Sequence, residues 1–511
     1  MAQLSLRKLL SSSIMAPAVV LALAGGMTPV AVQAQVLEVG VDSSPVGLDP
    51  HLITAFPSFQ VVSGTIYEGL TAIDKDLRVQ PSLAQSWTVS ADGKTYVFKL
   101  RAGMTFHNGA PVEAADVVAS FHRVTAKDIA SPLASRLATM AGVVATDPLT
   151  VTLTLKEPTA PLLVSLATLA IVPRAFEADK DSLQRNPVGT GPFKFKEWQP
   201  NGFIALSKNE HYWRAGAPKL DGIKFDIVPE SATRQVGIAS GQFGMLANID
   251  PATALQLKDK PNVRLAETLE LSYTLIGMNA SKPPFNNPKV REAFEYALDR
   301  PEIIAAALFG AGVPAGPLSP ALKEWATPTS AYPCYKHDPA KAMALLKEAG
   351  VAMPVAITMN VLPRQDIKDI AQVAQAQLNK AGFRVELKNQ EIGAFVQDWR
   401  NSNFETFASA NGGSPDPSDY FDRTFHTGGS TNVFKYGNPE VDSLLDNARG
   451  MTDMAARKAA YAKVQAILAC QGPAAHIAYG QLFTALRPNV VGFEMMANRS
   501  LAGLADTAIA K

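Results

Sequence analysis

The sequence predicts an α/β protein with mixed sheets flanked by helices, and three observations carry that expectation. Gln365–Ala381 repeats Ile367, Ile370, Ala374 and Leu378 at helical spacing, stops at Gly382 and passes straight into the strand-like run Phe383–Leu387. Helix, glycine, strand is the crossover unit of a parallel or mixed sheet. Trp87–Leu100 reads as an antiparallel hairpin turning on Asp92-Gly93, with Tyr96, Phe98 and Leu100 alternating with polar residues on the return strand. Leu271–Asn279 is an apolar strand that leads from one large unit into a second.

The elements follow in order. Val36–Val41 is a short buried-strand pattern, and Phe59–Leu70 reads as a helix closing at Glu68-Gly69. After the hairpin come a helix over 114–124 and a strand over 150–155 behind the Asp147-Pro148 turn. Gly189-Thr190-Gly191-Pro192 opens strands over 193–198 and 204–208; a strand over 223–228 and a helix over 231–241 follow. Past the crossing strand, 288–298 places Val290, Phe294, Ala297 and Leu298 on one helical face. Asp338-Pro339 starts a helix that Gly350 stops, and further helices are expected over 440–448 and 454–468. Ser409–Asn432 breaks the pattern. With four glycines, two prolines, Asp416, Asp419, Asp422, Arg423, His426 and three aromatics, it is expected to be a long irregular loop forming one wall of a ligand cleft.

Composition narrows the function. A chain of 511 residues with 47% apolar and 18% charged residues can bury a large core and divide into domains. A net charge of +1 gives no reason to expect nucleic acid as a partner. Arg7 and Lys8, the apolar run from Ile14 to Met27 and Val32-Gln33-Ala34 form a cleavable secretory signal over 1–34, the alternative being an uncleaved anchor. No cysteine lies near the cleavage site to carry a lipid, so the mature protein is expected free in a periplasm. Cys334 and Cys470 could form one disulfide or remain two separate buried thiols.

Motifs of chemistry are missing. The sequence has no GxSxG, HExxH, P-loop or strand-coupled GxGxxG, and Gly189–Phe193 opens a strand, not a helix that could meet phosphate. His51, His107, His122, His211, His337, His426 and His476 show no metal-ligand spacing. No cofactor and no enzymatic activity are expected.

Several segments together resemble the extracytoplasmic solute-binding proteins of peptide and nickel ABC importers (solute-binding protein family 5). They include Leu48-Asp-Pro-His51, Tyr67-Glu-Gly-Leu70, Pro81–Trp87 and Phe98–Val112. Later blocks are Gly189–Phe193, Asn209–Trp213, Met278-Asn279, Pro284–Phe294, Ala297–Arg300 and Leu346–Gly350. The resemblance spans nearly the whole mature chain, in order. It implies a two-lobed periplasmic binding protein fold with an extra inserted domain. Residues 35–70, 188–270 and 488–511 would form lobe one, 71–187 the domain packed on it, and 271–487 lobe two. It also implies a monomer that hands its ligand to an inner-membrane ABC permease.

Peptide-binding members carry an aspartate for the peptide's amino group four residues before a loop proline. Here that proline is Pro417, and Gly413 or Ser414 stands at the position. Two ligand classes therefore remain. A short peptide could place its amine on another acid or on the carbonyls of Gly412-Gly413. A non-peptide ligand such as an opine, carboxylate, sugar derivative or metal chelate could be held by Asn411, Ser414 and Arg423. Phe56, Tyr273 and Tyr479 would be the apolar walls for that second class, with core packing as the competing reading. Asp416 is expected to brace the loop and is kept among the candidates. A secreted enzyme is the third alternative.

Overall fold

The computed structural model describes residues 35–53, 55–451 and 453–510. The expected export signal over 1–34 lies outside the described residues. Eleven strands form one sheet that runs through the molecule. At one end Val36–Val41 lies parallel to both Gly222–Ile227 and Met245–Ile249, and Phe203–Lys208 and Phe193–Gln199 continue it antiparallel. At the other end Val355–Val361 lies parallel to both Phe383–Asn389 and Thr406–Asn411. The expected helix–glycine–strand crossover is present, with the helix spanning Gln365–Lys380 and burying Ile367, Ile370, Ala374 and Leu378.

Two long antiparallel strands, Arg264–Met278 and Ala474–Leu486, join the ends. Arg264–Leu269 pairs with Gln481–Leu486, and Tyr273–Gly277 pairs with Ala474–Tyr479; the register breaks between Leu269 and Tyr273. Each strand thus serves one core on each side of its own irregularity. Leu37, Val39, Phe225 and Leu486 belong to one core, and Ile276, Met278, Val290 and Phe294 to another. A separate four-stranded sheet (Ala84–Val89, Thr95–Leu100, Thr150–Leu155, Met140–Asp147) carries the expected hairpin, with Gly93 at φ +68° in its turn. The helix Ala114–Thr125 covers this sheet. From that helix Arg123 reaches Asp49 (3.1 and 2.5 Å) and His51 Nδ1 (2.9 Å), all fully buried, pinning the small sheet's layer to the main one.

Three sequence expectations are corrected. The helix expected over Phe59–Leu70 spans Phe56–Val62 instead. Pro57 suits its first turn, and beyond it the carbonyls of Thr65 and Ile66 are taken by the amides of Phe193 and Gly191, so the chain cannot stay helical. The stretch 409–432 is not one irregular loop. Strand Thr406–Asn411 runs into it and helix Pro417–Phe425 occupies its middle. Asp416 caps that helix by accepting from Ser418 N at 2.8 Å, Pro417 takes the first helical position, and Tyr420, Phe421 and Phe425 point into the core. The crossing strand begins at Arg264, earlier than Leu271, and its partner Ala474–Leu486 has no counterpart in the sequence reading.

Candidate binding cleft

At the register break of the crossing strands the sheet's two ends face each other across a cavity of about 910 Å³. Glu270, Leu271, Ser272 and Gly480 form its base. Phe56, Arg136, Thr168, Arg234 and Asn248 line one side, and Arg364, Asn411–Pro415 and Asp419 the other.

The sequence-predicted residues separate into two groups. Phe56, Tyr273, Asn411, Gly412 and Ser414 line the cavity. Phe56 is half exposed, stacks on Phe59 with centroids 6.5 Å apart and carries the Arg499 guanidinium 5.4 Å from its ring centre. Tyr273 is 2% exposed. Its ring is packed against Tyr420, His476 and Tyr479 at 5.4, 5.1 and 5.9 Å, and its hydroxyl accepts from Asn411 Nδ2 at 3.4 Å, so it offers the cavity an edge and not a face. Ser414 Oγ accepts from the Asp416 amide at 3.3 Å, which leaves its own proton to donate.

Asp416, Arg423 and Tyr479 stand behind the cavity wall. Asp416 is buried and takes two bonds from Arg457 (2.7 and 3.0 Å) besides its helix cap. Burial pulls the Arg457 guanidinium down, but Asp416 outweighs that and leaves its pKa above the ordinary value. Arg423 Nη2 donates to Gly412 O at 2.9 Å and so engages one of the carbonyls expected to meet a ligand amine. Tyr479 is 1% exposed and donates to Gly316 O at 3.2 Å; burial holds its pKa well above ordinary. Cys334 and Cys470 are bonded, 5.6 Å apart at Cα, and neither lines the cavity.

Gly413 has a packing reason to be glycine. A Cβ built there would meet Leu271 O at 2.1 Å, so the position excludes every side chain unless the crossing strand moves. A carboxylate at 413 is thus sterically barred in this chain.

Sequence reasoning missed most of the cleft's charge. Arg364 grips Asp366 through two bonds of 2.6 Å, which lifts its pKa, and Arg499 pairs with Glu270. Asp250 caps a helix through Thr253 N at 2.8 Å, and Asp42 accepts from Ser43. Arg234 donates to Val228 O and Pro229 O at 2.6 and 2.7 Å with no acid partner among the described residues. Asn248 lies at φ +49° and its buried Nδ2 has no partner among the described residues. Asp419, exposed on the first turn of helix Pro417–Phe425, has neither a hydrogen bond nor an ion pair among the described residues. These residues come from at least five separated segments, so no spacing rule gathers them. Asp419 alone lay in a stretch already under suspicion.

A model of the bacterial extracellular solute-binding proteins, family 5, matches residues 78–432. The chain is 31% identical over 500 residues to the glutathione-binding protein of Escherichia coli (strain K12), covering 92% of this chain and 94% of the relative. It superposes on HbpA2 from Haemophilus parasuis with a TM-score of 0.85 at 26% identity, covering 93% of this chain and all (100%) of that one. It superposes on the oligopeptide-binding protein AppA of Bacillus subtilis, solved with a nonapeptide, with a TM-score of 0.74 at 26% identity, covering 93% and 99% of the two chains.

Proposed function

The chain belongs to the bacterial extracellular solute-binding proteins of family 5, and from that premise we propose that it is the substrate-binding component of an ABC importer, capturing a short peptide or peptide-like solute. Residues 1–34 then act as the export signal, and the mature protein works in the periplasm without a lipid anchor. Lobe one comprises 35–70, 188–270 and 488–511, with 71–187 inserted, and lobe two comprises 271–487. A monomer delivers its ligand to an inner-membrane permease.

The observation that carries this reading is the cavity of about 910 Å³ at the break in the crossing strands. Its size suits a molecule of a few residues. Its walls come from both ends of the sheet, so a ligand that touches both stabilises the closed form by the difference in contact between open and closed states. A closed surface is what a permease can distinguish from an empty one. Lining groups of both charge signs suit a zwitterion better than a fatty or wholly anionic solute. Binding and release involve no covalent step, in keeping with relatives that bind solutes and do not transform them.

Native mass spectrometry of protein recovered from its own periplasm would identify retained ligand, and a panel of di- and tripeptides would then be scored by thermal shift. A true ligand at a hundredfold its Kd adds about 2.7 kcal/mol to stability. If no peptide raises the Tm while a carboxylate, opine or sugar does, the peptide reading fails.

A further inference from the structure

Arg136 and Asp419 face the same cavity from opposite sides, one from the layer built on the small sheet and one from helix Pro417–Phe425. Every other carboxylate on the lining is engaged: Glu270 and Asp366 by arginines, Asp250 and Asp42 by a helix cap and a serine. Asp419 has no such partner among the described residues, and Arg136 spends one nitrogen on Thr168 Oγ1 and has no ion-pair partner there. Both side chains are exposed to the solvent of the cavity, and Asp419 is the acid whose charge acts on the Arg136 guanidinium there. They are nevertheless outside ion-pair distance, which leaves room for something between them.

We propose, building on the peptide-like reading above, that Arg136 and Asp419 clamp a free α-amino-acid head group, an ammonium and a carboxylate carried on one carbon. The ammonium donates to Asp419, to which Asn411 and Ser414 are near neighbours on the same wall. The carboxylate accepts from the nitrogens of Arg136 that Thr168 leaves free, in a charge-assisted pair. An ordinary α-linked peptide does not fit this pairing. Its N-terminal ammonium stands beside a neutral amide carbonyl, so Arg136 would be desolvated against a weak acceptor. A γ-linked peptide, or an amino acid extended through its side chain, presents both charges together. The clamp also joins the two sides of the cavity through the ligand, which is the contact that closure requires.

Two isomers of equal composition and charge separate the possibilities: γ-Glu-Ala-Gly and α-Glu-Ala-Gly, titrated calorimetrically into the mature protein. The clamp predicts that the γ-isomer binds at least about tenfold more tightly, because the α-isomer leaves a charged group poorly paired. Asp419→Asn and Arg136→Gln should each weaken the γ-isomer by about tenfold or more and remove the preference, leaving the α-isomer within about threefold. Unchanged circular dichroism and Tm of the free variants would show that both still fold. Equal affinity for the isomers, or variants that weaken both isomers alike as a simple closing latch would, overturns the clamp. If neither isomer binds while other peptides of the panel do, the clamp falls and the transport reading stands. If no peptide binds at all, the clamp and the peptide reading both fall.

Discussion

Asp416 and Asp419 stand three residues apart and do opposite things. Asp416 points inward, caps its helix and holds Arg457 in a buried pair, so its lone pairs are committed to the fold. Asp419 points out into the cleft with no partner among the described residues. Asp416→Ala would strand the Arg457 charge in the interior, and removing one partner of a buried pair costs about 3–5 kcal/mol. Urea denaturation of the ligand-free variant should show that loss; a change below about 0.5 kcal/mol would mean that the pair contributes nothing. The sequence indicated a bracing role for Asp416 from its place before Pro417. It could not show Arg457, which lies 41 residues away and is brought in by a helix, Met454–Gln471, that carries no local mark of its partner.

At the scale of elements, the legible parts were those that announce themselves locally. Glycine stops, proline starts and two-residue turns placed the crossover at 365–389, the helix Pro339–Glu348 and the hairpin at 84–100 close to where they lie. Ala474–Leu486 was illegible because almost every residue in it is buried on both faces, which erases the alternation that identifies a strand. Helix Pro417–Phe425 was hidden by composition: its acids, aromatics and flanking glycines imitate a loop, although Asp416-Pro417 is a sound helix start. The cleft suffered more than the fold, since charges such as Arg136, Arg234 and Arg364 meet there through tertiary structure alone. The bond between Cys334 and Cys470 ties the segment before helix Pro339–Glu348 to the end of helix Met454–Gln471 across 136 residues. In the chain-entropy account a closure of that length contributes up to about 5 kcal/mol. The double variant Cys334→Ser, Cys470→Ser should therefore unfold at distinctly lower urea, while the ligand's Kd at 25 °C stays within about twofold because the bridge does not line the cleft. A variant of unaltered stability would reject the first expectation, and a lost ligand the second.

The whole molecule should be most stable near neutral pH and weaken on acidification. His51 donates from Nε2 to Ala170 O and accepts at Nδ1 from Arg123, an arrangement that fits only the neutral ring; burial drives its pKa down to about 4. Burial likewise takes His107 to about 4, and takes His476 to about 3 with help from Arg300. In the unfolded chain these rings titrate near 6.5, so their contribution is complete above that pH and is lost as pH falls toward 4 and below. For His51 alone this amounts to something on the order of 3 kcal/mol. Asp422 and Glu295 act in the other direction. Burial raises them to about 6 and about 7 against the opposing pull of Arg449 and Arg300, and each withdraws support as pH rises through those values. Burial raises Glu68 and Glu38 in the same sense; the three rings are expected to outweigh these four carboxyls between pH 4.5 and 6.5, so the Tm should fall on acidification through that window. A Tm that is flat or rises from pH 7 to pH 5 would contradict the assignment of these buried rings as neutral.

The carbonyl of Leu271, seated where a Gly413 Cβ would go, also limits what descendants of this chain can become. Any single codon change at 413 must displace a strand shared by both lobes before the new side chain can meet a ligand. That adaptive route is closed at its first step. New ligand preferences remain within mutational reach at positions with open space around them, such as Phe56, Arg136 and Asp419. A lineage that starts from this glycine must diversify elsewhere on the lining.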